Sequence, residues 1–574
     1  MVVVPLAEIV VRRIWVTGIP GAAPIVQHLT LWVGFLGAAL AARDGHLLAL
    51  ATGTLLPGAV RPATRAFANT VAAAVTAALC VGAVQLVITE RQVGSLIALR
   101  VPVWTTQLVL PVALAAVAAR LVHQAGTGWT ARAIAAGGIV SGLVLVWQPS
   151  IVAGTHVRGA LAVVILAGIV GAPIYTLLGG AAVVLFLAQG TGPVAVLIET
   201  YALSVSPTLA AIPLFTLAGF VLAESRASAR LLRLFHAWCG WIPGGTAVVC
   251  ACLCAFFTIF TGGSGVTILA LGGLLYPALL RDGYRERFSL GLLTASGSLG
   301  LLLPPAMPLI VYAVVAMIPI EDLFLGGLLP GALLVGLVAA WGIREGLVSR
   351  TPRLPFRPRE ALVSLWAAKW EAAIPAVVLG AIFSGWATPI EAAALTAGYT
   401  LVTQVGVHRE LSIAVDLRRV FSSCVSLVGG VLIILSVAVN LTSYMITADV
   451  PGQLLSWTQQ HIASRAMFLL ALNGFLLVVG CLMDIFSATV VVVPLIVPLA
   501  AAFGVHPVHL GVIFIANLEL GYLTPPVGLN LFLASYRFEQ PLASIFRASL
   551  PLLVILGIGV LLITYVPWLT TGLL

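Results

Sequence analysis

Thr294-Ala-Ser-Gly-Ser-Leu-Gly-Leu-Leu-Leu-Pro-Pro305 and Ala516-Asn-Leu-Glu-Leu-Gly-Tyr-Leu-Thr-Pro-Pro526 are two versions of one signal. Aligning Pro304-Pro305 with Pro525-Pro526 also aligns Gly300 with Gly521. A proline pair inside an apolar helix removes backbone donors and breaks the hydrogen-bond ladder. In lipid, the freed carbonyls must be satisfied by protein, water or an ion. About 40 residues upstream of the prolines each half carries a small polar cluster, Thr261-Gly-Gly-Ser-Gly-Val-Thr267 and Met483-Asp-Ile-Phe-Ser-Ala-Thr489. An apolar run and a turn (281–287, then 503–509) separate cluster from prolines in both halves. The order and spacing predict an internal repeat of the kind secondary transporters contain.

Composition requires a membrane around this repeat. Of 574 residues, 61% are hydrophobic and 8% charged, with a mean hydropathy of +1.14, whereas soluble domains carry about 25% charged residues. Apolar runs such as 71–87, 328–341 and 550–565 recur along the chain. With their flanks they suit helices crossing a core of roughly 30 Å, and length and hydropathy predict roughly 16 crossings, hairpins excluded. A transmembrane barrel would show short alternating segments instead. The first apolar stretch has no small-residue cleavage site and reads as a helix. The fold class is therefore an all-α polytopic membrane protein.

The net charge of +9 sits in loops, as expected for segments held on the cytoplasmic side by Lys and Arg, and does not point to nucleic acid. The turn Arg281-Asp-Gly-Tyr-Arg-Glu-Arg287 is basic, while its counterpart Phe503-Gly-Val-His-Pro-Val-His509 has no Lys or Arg. Likewise Arg226, Arg230 and Arg233 mark the first half, and 449–460 has no cation. Equivalent loops of opposite bias belong on opposite sides of the membrane, so the repeat is inverted. The basic, proline-rich stretch Ser349-Arg-Thr-Pro-Arg-Leu-Pro-Phe-Arg-Pro-Arg-Glu360 divides the halves as a cytoplasmic loop. The resulting division is 1–125 with about four spans, a connecting transmembrane helix in 126–156, a first repeat 157–348, a basic linker with an amphipathic segment 349–372, and a second repeat 373–574.

Each half offers a glycine-rich or hydroxyl-rich tip and a broken helix, hence one candidate ion site per half. Broken helices near the midplane coordinate Na⁺ and present helix ends to anionic substrates in secondary transporters, and hard cations prefer oxygen ligands. Asp484, deep in an apolar region, reads as ion-binding or proton-coupling, or as an acid paired for structure. Glu519 stands opposite Ser298 in the alignment. Ser296 and Ser298 are ligands or back-bond to their own helix. Asn473, Asn517 and Asn530 line a path or join helices. Glu391 in Thr388-Pro-Ile-Glu-Ala-Ala-Ala394 suits a helix start. The seven cysteines fit no zinc or disulfide pattern and read as small buried hydrophobes. His28, His123 and His156 do not form the facing pairs a membrane haem needs, and no glycine-rich phosphate loop of an ATP-driven pump is present.

The stretch from Ala255-Phe-Phe-Thr-Ile-Phe-Thr-Gly-Gly-Ser-Gly-Val-Thr267 through Ser296-Gly-Ser-Leu-Gly-Leu-Leu-Leu-Pro-Pro305 resembles the large membrane subunit of tripartite ATP-independent periplasmic (TRAP) transporters. So do Ile212-Pro-Leu-Phe-Thr-Leu-Ala-Gly219, residues 388–394 and Gly521-Tyr-Leu-Thr-Pro-Pro-Val-Gly-Leu-Asn530. Residues 26–42, followed by His46, resemble the small four-helix subunit, which implies a natural fusion.

The resemblance implies a bacterial inner-membrane permease, not an enzyme, that works with a periplasmic substrate-binding protein. It would import an organic anion, a carboxylate or sugar acid, by Na⁺ symport through an elevator movement, with Na⁺ as coupling ion and no other cofactor. In that picture two re-entrant hairpins carry the sites. Gly263, Ser264 and Gly265 would meet Ser298, Gly300 and Pro304; Asp484, Ser487 and Thr489 would meet Gly521, Thr524 and Pro525. Thr267, Ser296, Asn517 and Asn530 would face the substrate. Ala306 stands where the family leads one to expect a serine. The alternatives are a symporter that needs no partner, against which the small-subunit-like region argues, and a membrane-embedded enzyme or redox subunit.

Overall fold

The computed structural model describes all residues except 16, 17, 50–56, 58, 59, 127, 153, 155, 354, 463, 526 and 527. Pro526 and Leu354, both used in the sequence reading, thus lie outside the described residues. The described residues are organised by helices, and the only β pairing among them is two isolated bridges. Among the described residues, eleven helices are long and apolar enough to cross a membrane. The roughly 16 crossings expected from hydropathy are not reached by unbroken helices, because six further apolar helices have only 10–17 residues. Glycine and proline breaks divide stretches that hydropathy averages together.

The N-terminal region has four helical parts: α1 (Val3–Trp15), α2 (Ala22–Asp44), α3 (Arg61–Val93), and the kinked pair α4 (Val103–Gln107) and α5 (Val109–Gln124). The four spans anticipated before residue 125 need a correction. With 13 residues, strongly amphipathic α1 reaches only about 20 Å, so three of the four cross. The helix α6 (Trp129–Trp147) follows and lies along α3. Gly138 and Gly142 sit one turn apart on α6, and a Cβ there would fall 3.0 Å from Thr70 C and 2.9 Å from Ala74 C. This is the small-residue contact by which membrane helices approach closely.

The first half runs α7 (His156–Ile169), α8 (Ile174–Ala188), α9 (Val194–Ser204), α10 (Ala211–Glu224), α11 (Ala227–Cys239), α12 (Gly245–Thr261), α13 (Ser264–Arg281), α14 (Glu286–Ser296), α15 (Met307–Ala316) and α16 (Ile320–Val348). After α17 (Pro358–Ala367), the second half runs α18 (Lys369–Phe383), α19 (Pro389–Leu401), α20 (Asp416–Thr447), α21 (Val450–His461), α22 (Arg465–Leu482), α23 (Ile485–Ala502), α24 (Pro507–Gly521), α25 (Leu529–Phe538), α26 (Leu542–Tyr565) and α27 (Trp568–Thr571). Thr388 and Glu391 form a reciprocal capping box at the start of α19, and Arg12 pairs with Glu391 at 2.8 Å.

The N-terminal region docks on α8, α9, α19 and α20. Along the α2–α20 seam, Gly37 faces Gly429, where a Cβ would fall 3.0 Å from Gly429 Cα. Ser204 donates to Ser436 at 2.8 Å and Asn440 to Thr200 at 3.0 Å, fastening α9 to α20. A buried polar cluster joins α11, α18 and the π-helical turn Val402–Val407: Arg230 contacts Glu371 at 2.5 Å and Gln404 at 2.8 Å, and also pairs with Glu410. Gln404 in turn donates to Glu371 at 2.9 Å.

Candidate functional site

Two helical hairpins, α12–α13 and α22–α23, each precede a broken helix, α14–α15 and α24–α25. The second arm of each hairpin lies against the far half of the other repeat's broken helix: α13 on α25, α23 on α15. That reciprocal exchange gives the repeat read from the sequence a three-dimensional form.

In the first half the turn is made by Gly262, left-handed at φ 64°, whereas Gly263 is extended at φ −142°. A left-handed residue at this turn favours glycine because a Cβ is strained there. Below the tip three buried threonines converge. Thr258 Oγ1 lies 2.8 Å from each of Cys254 O, Gly297 O and Thr267 Oγ1, and Thr261 Oγ1 is 3.4 Å from Thr267 Oγ1. Thr258 has one proton to offer two carbonyls, so the cluster is rich in oxygen and short of hydrogen.

Gly300 permits the broken helix to approach; a Cβ there would fall 2.8 Å from both Ile259 N and Thr258 Cβ of α12. Ser298 back-bonds to Ala295 O at 3.3 Å. The buried hydroxyls of Ser264 and Ser296 have no hydrogen-bond partner among the described residues, which is rare for interior polar groups. The Pro304-Pro305 bond is cis. Ala306, fully buried at the cap of α15, offers no hydroxyl.

In the second half Asp484 caps α23. Its carboxylate accepts from the amides of Phe486 at 3.0 Å and Ser487 at 3.1 Å, and from the Ser487 hydroxyl. Thr489 donates to Ile485 O at 2.6 Å and Thr524 to Leu520 O at 2.9 Å. The Ile485 amide donates to the Tyr522 hydroxyl at 2.6 Å, tying the tip to the turn that holds Thr524 and Pro525. Gly521 meets Gly480 of α22, where a Cβ would be 2.6 Å from Gly480 Cα. Gly300 and Gly521, aligned by sequence alone, thus do the same job: each seats a broken helix on the first arm of its hairpin.

Asn530 crosses between halves, donating to Thr294 O at 3.3 Å, and its buried Oδ1 has no partner among the described residues. With Ser264 and Ser296 it places three unpartnered polar groups where α13, α14 and α25 meet. Glu519 is buried beside the Leu302 backbone amide, one carboxyl oxygen without a partner among the described residues. Asn517, read from the sequence as lining a path or joining helices, donates to Asn473 Oδ1 at 2.7 Å and Ile513 O at 2.8 Å, joining α24 to α22. Thr258, Gly480 and Tyr522 were not singled out from the sequence. The Thr258-x-x-Thr261 spacing, which puts two hydroxyls on one helix face, was the available signal for the first of these.

Paired hairpins and broken helices, within a bundle of apolar helices too long and too uncharged for water, define a multi-pass inner-membrane transport protein. The chain belongs to the tripartite ATP-independent periplasmic transporters: residues 159–569 match the DctM component and residues 1–131 the DctQ component. It therefore carries both membrane subunits in one polypeptide, and it is a permease, not an enzyme. It is 34% identical over 490 residues to the isethionate TRAP transporter permease protein DctMQ of Oleidesulfovibrio alaskensis, covering 82% of this chain and 75% of that one. It is also 34% identical to the C4-dicarboxylate TRAP transporter large permease protein DctM of Pseudomonas aeruginosa, with 63% and 84% covered. To the ectoine/5-hydroxyectoine large permease protein UehC of Ruegeria pomeroyi it is 30% identical, with 62% and 84% covered.

Proposed function

We propose that this permease imports a small organic anion by Na⁺ symport, receiving it from a periplasmic substrate-binding protein. The observation that carries the reading is the oxygen-rich, hydrogen-poor cluster of Thr258, Thr261, Thr267 and Gly297 O beneath the first hairpin tip. Such a donor set suits a hard monovalent cation. One Na⁺ would be held there, with Gly263, Ser264, Gly265, Ser298, Gly300 and Pro304 shaping the site. A second would be held around Asp484, Ser487, Thr489, Gly521, Thr524 and Pro525. The anion would lie between them, facing Ser264, Ser296 and Asn530, with Thr267 at the edge of the same space. Na⁺ on both sides lowers the cost of bringing a negative charge out of water.

Movement would carry the hairpins and broken helices as one body past a fixed frame. In support, the N-terminal region makes its main contacts with α8, α9, α19 and α20. The domain division follows: 1–125 and the helix in 126–156 belong to the frame, while 157–348 and 373–574 each give one hairpin to the moving part.

The test is uptake into proteoliposomes holding this chain, with its binding protein outside and isethionate, C4-dicarboxylates and sugar acids as substrates, with and without an inward Na⁺ gradient. Uptake that needs both partner and Na⁺, with Thr258→Val raising the half-saturating Na⁺ concentration about tenfold, an interaction of ~1.4 kcal/mol, supports the reading. Uptake without the binding protein refutes the tripartite mechanism. Uptake driven by protons alone refutes Na⁺ coupling.

A further inference from the structure

The basic linker and the first half's amphipathic helix build a pocket that the transport cycle does not use. Pocket walls come from Arg230 and Arg233 of α11 and Arg359, Glu360, Val363 and Ser364 of α17, around a cavity of about 270 Å³. The charges there are not equivalent. Arg230 is buried and answered by Glu371 and Glu410, and Glu360 is answered by Arg357 at 2.8 Å. Arg233 and Arg359 are exposed and have no carboxylate within 4.0 Å among the described residues. Two free guanidinium groups therefore face one cavity, and guanidinium is the side chain best shaped to hold a phosphate.

The surroundings define what carries that phosphate. Helix α17 turns by 68° from α18, so the two cannot both run along the membrane normal. Its outer face is apolar: Leu362 is 70%, Val363 63% and Trp366 72% exposed. Trp238 and Trp241 of the neighbouring segment are exposed too, and the Trp238 indole donates to Ala361 O at 3.2 Å, fixing α11 to α17. The Lys369 ammonium lies 3.5 Å over the Trp366 ring. Exposed tryptophan and leucine beside Arg and Lys are the composition of a helix lying in the headgroup layer. The cytoplasmic side follows from the cations along the two segments that build the pocket, Arg226 before α11 and Arg350, Arg353 and Arg357 before α17, by the positive-inside bias. That leaflet is the one whose anionic lipids attract basic segments.

We infer that Arg233 and Arg359 clamp the phosphodiester of an anionic phospholipid of the cytoplasmic leaflet, with its acyl chains against the apolar face of α17. A free phosphate would meet only two solvent-exposed arginines, whereas a lipid also covers Leu362, Val363 and Trp366. Because α11 leads into the first hairpin through α12, the bound lipid would anchor the approach to that hairpin at a fixed depth.

The experiment uses the purified full chain in nanodiscs, with retained phosphatidylglycerol and phosphatidylcholine measured by native mass spectrometry. The wild type should retain phosphatidylglycerol preferentially. Arg233→Gln with Arg359→Gln should lower that retention roughly 25-fold, at about fivefold per arginine. Arg418→Gln with Arg547→Gln, which removes the same charge elsewhere on the surface, should leave retention unchanged. Thermal melting confirms that both variants fold. Equal losses in the two double variants would overturn the clamp, since the attraction would then be one of overall charge. Displacement of the lipid by millimolar inorganic phosphate would overturn the lipid assignment in favour of a free anion. The readout is lipid retention, so it stands or falls separately from Na⁺-coupled uptake.

Discussion

At Asp484 one carboxylate performs two tasks that substitution can separate. As the cap of α23 it accepts from two amides and a hydroxyl; as a charge it would help hold a cation at the second site. Asparagine keeps most of the capping capacity and alanine keeps none, a loss of about 1 kcal/mol. Asp484→Asn should therefore melt near the wild type but need more Na⁺ for half-maximal uptake, while Asp484→Ala loses in both measurements. Wild-type Na⁺ dependence in Asp484→Asn would reduce this residue to a cap. Its acidic identity in an apolar stretch was legible in the sequence. Its partners were less so, because a cap is defined by backbone geometry at a break whose shape the sequence does not state.

Among the elements, the close approaches belong to glycine. Gly300 on α12 and Gly521 on α22 leave no room for a methyl group without movement of backbone, and overpacking of this kind costs about 1–3 kcal/mol. Gly300→Ala and Gly521→Ala should each lower the melting temperature and slow uptake, while Gly474→Ala, in open space on α22, changes neither. Similar slowing by Gly474→Ala would undo the argument. The α2–α20 seam yields a second expectation. Gly37→Leu would push α2 off Gly429, so proteolytic nicking between the N-terminal region and the rest should become faster. The proline pairs announced the broken helices, and the aligned glycines announced a shared role. Which arm each glycine seats against came only from packing, as did the Asn517–Asn473 bond between α24 and α22.

For the molecule as a whole, the buried Arg230 cluster holds three separated parts of the chain together. Arg230→Ala would leave Glu371, itself fully buried, without its cation. Removing one partner of a buried pair costs about 3–5 kcal/mol. The variant should unfold at clearly lower temperature in detergent, and pairing it with Glu371→Gln should recover part of the loss. A double variant no more stable than Arg230→Ala would show that the charge pair is not what matters.

The sequence by itself determined the membrane setting, the repeat and the places where helices break. These follow from properties local to the chain: apolar length and missing proline donors. Tertiary structure alone decided that Thr258 meets Gly297 O across 39 residues and that Asn530 meets Thr294 across 236. It also decided that each hairpin rests on the opposite repeat's broken helix. Those contacts depend on how two halves interlock, and interlocking is set by shape between distant surfaces, for which spacing along the chain carries no record.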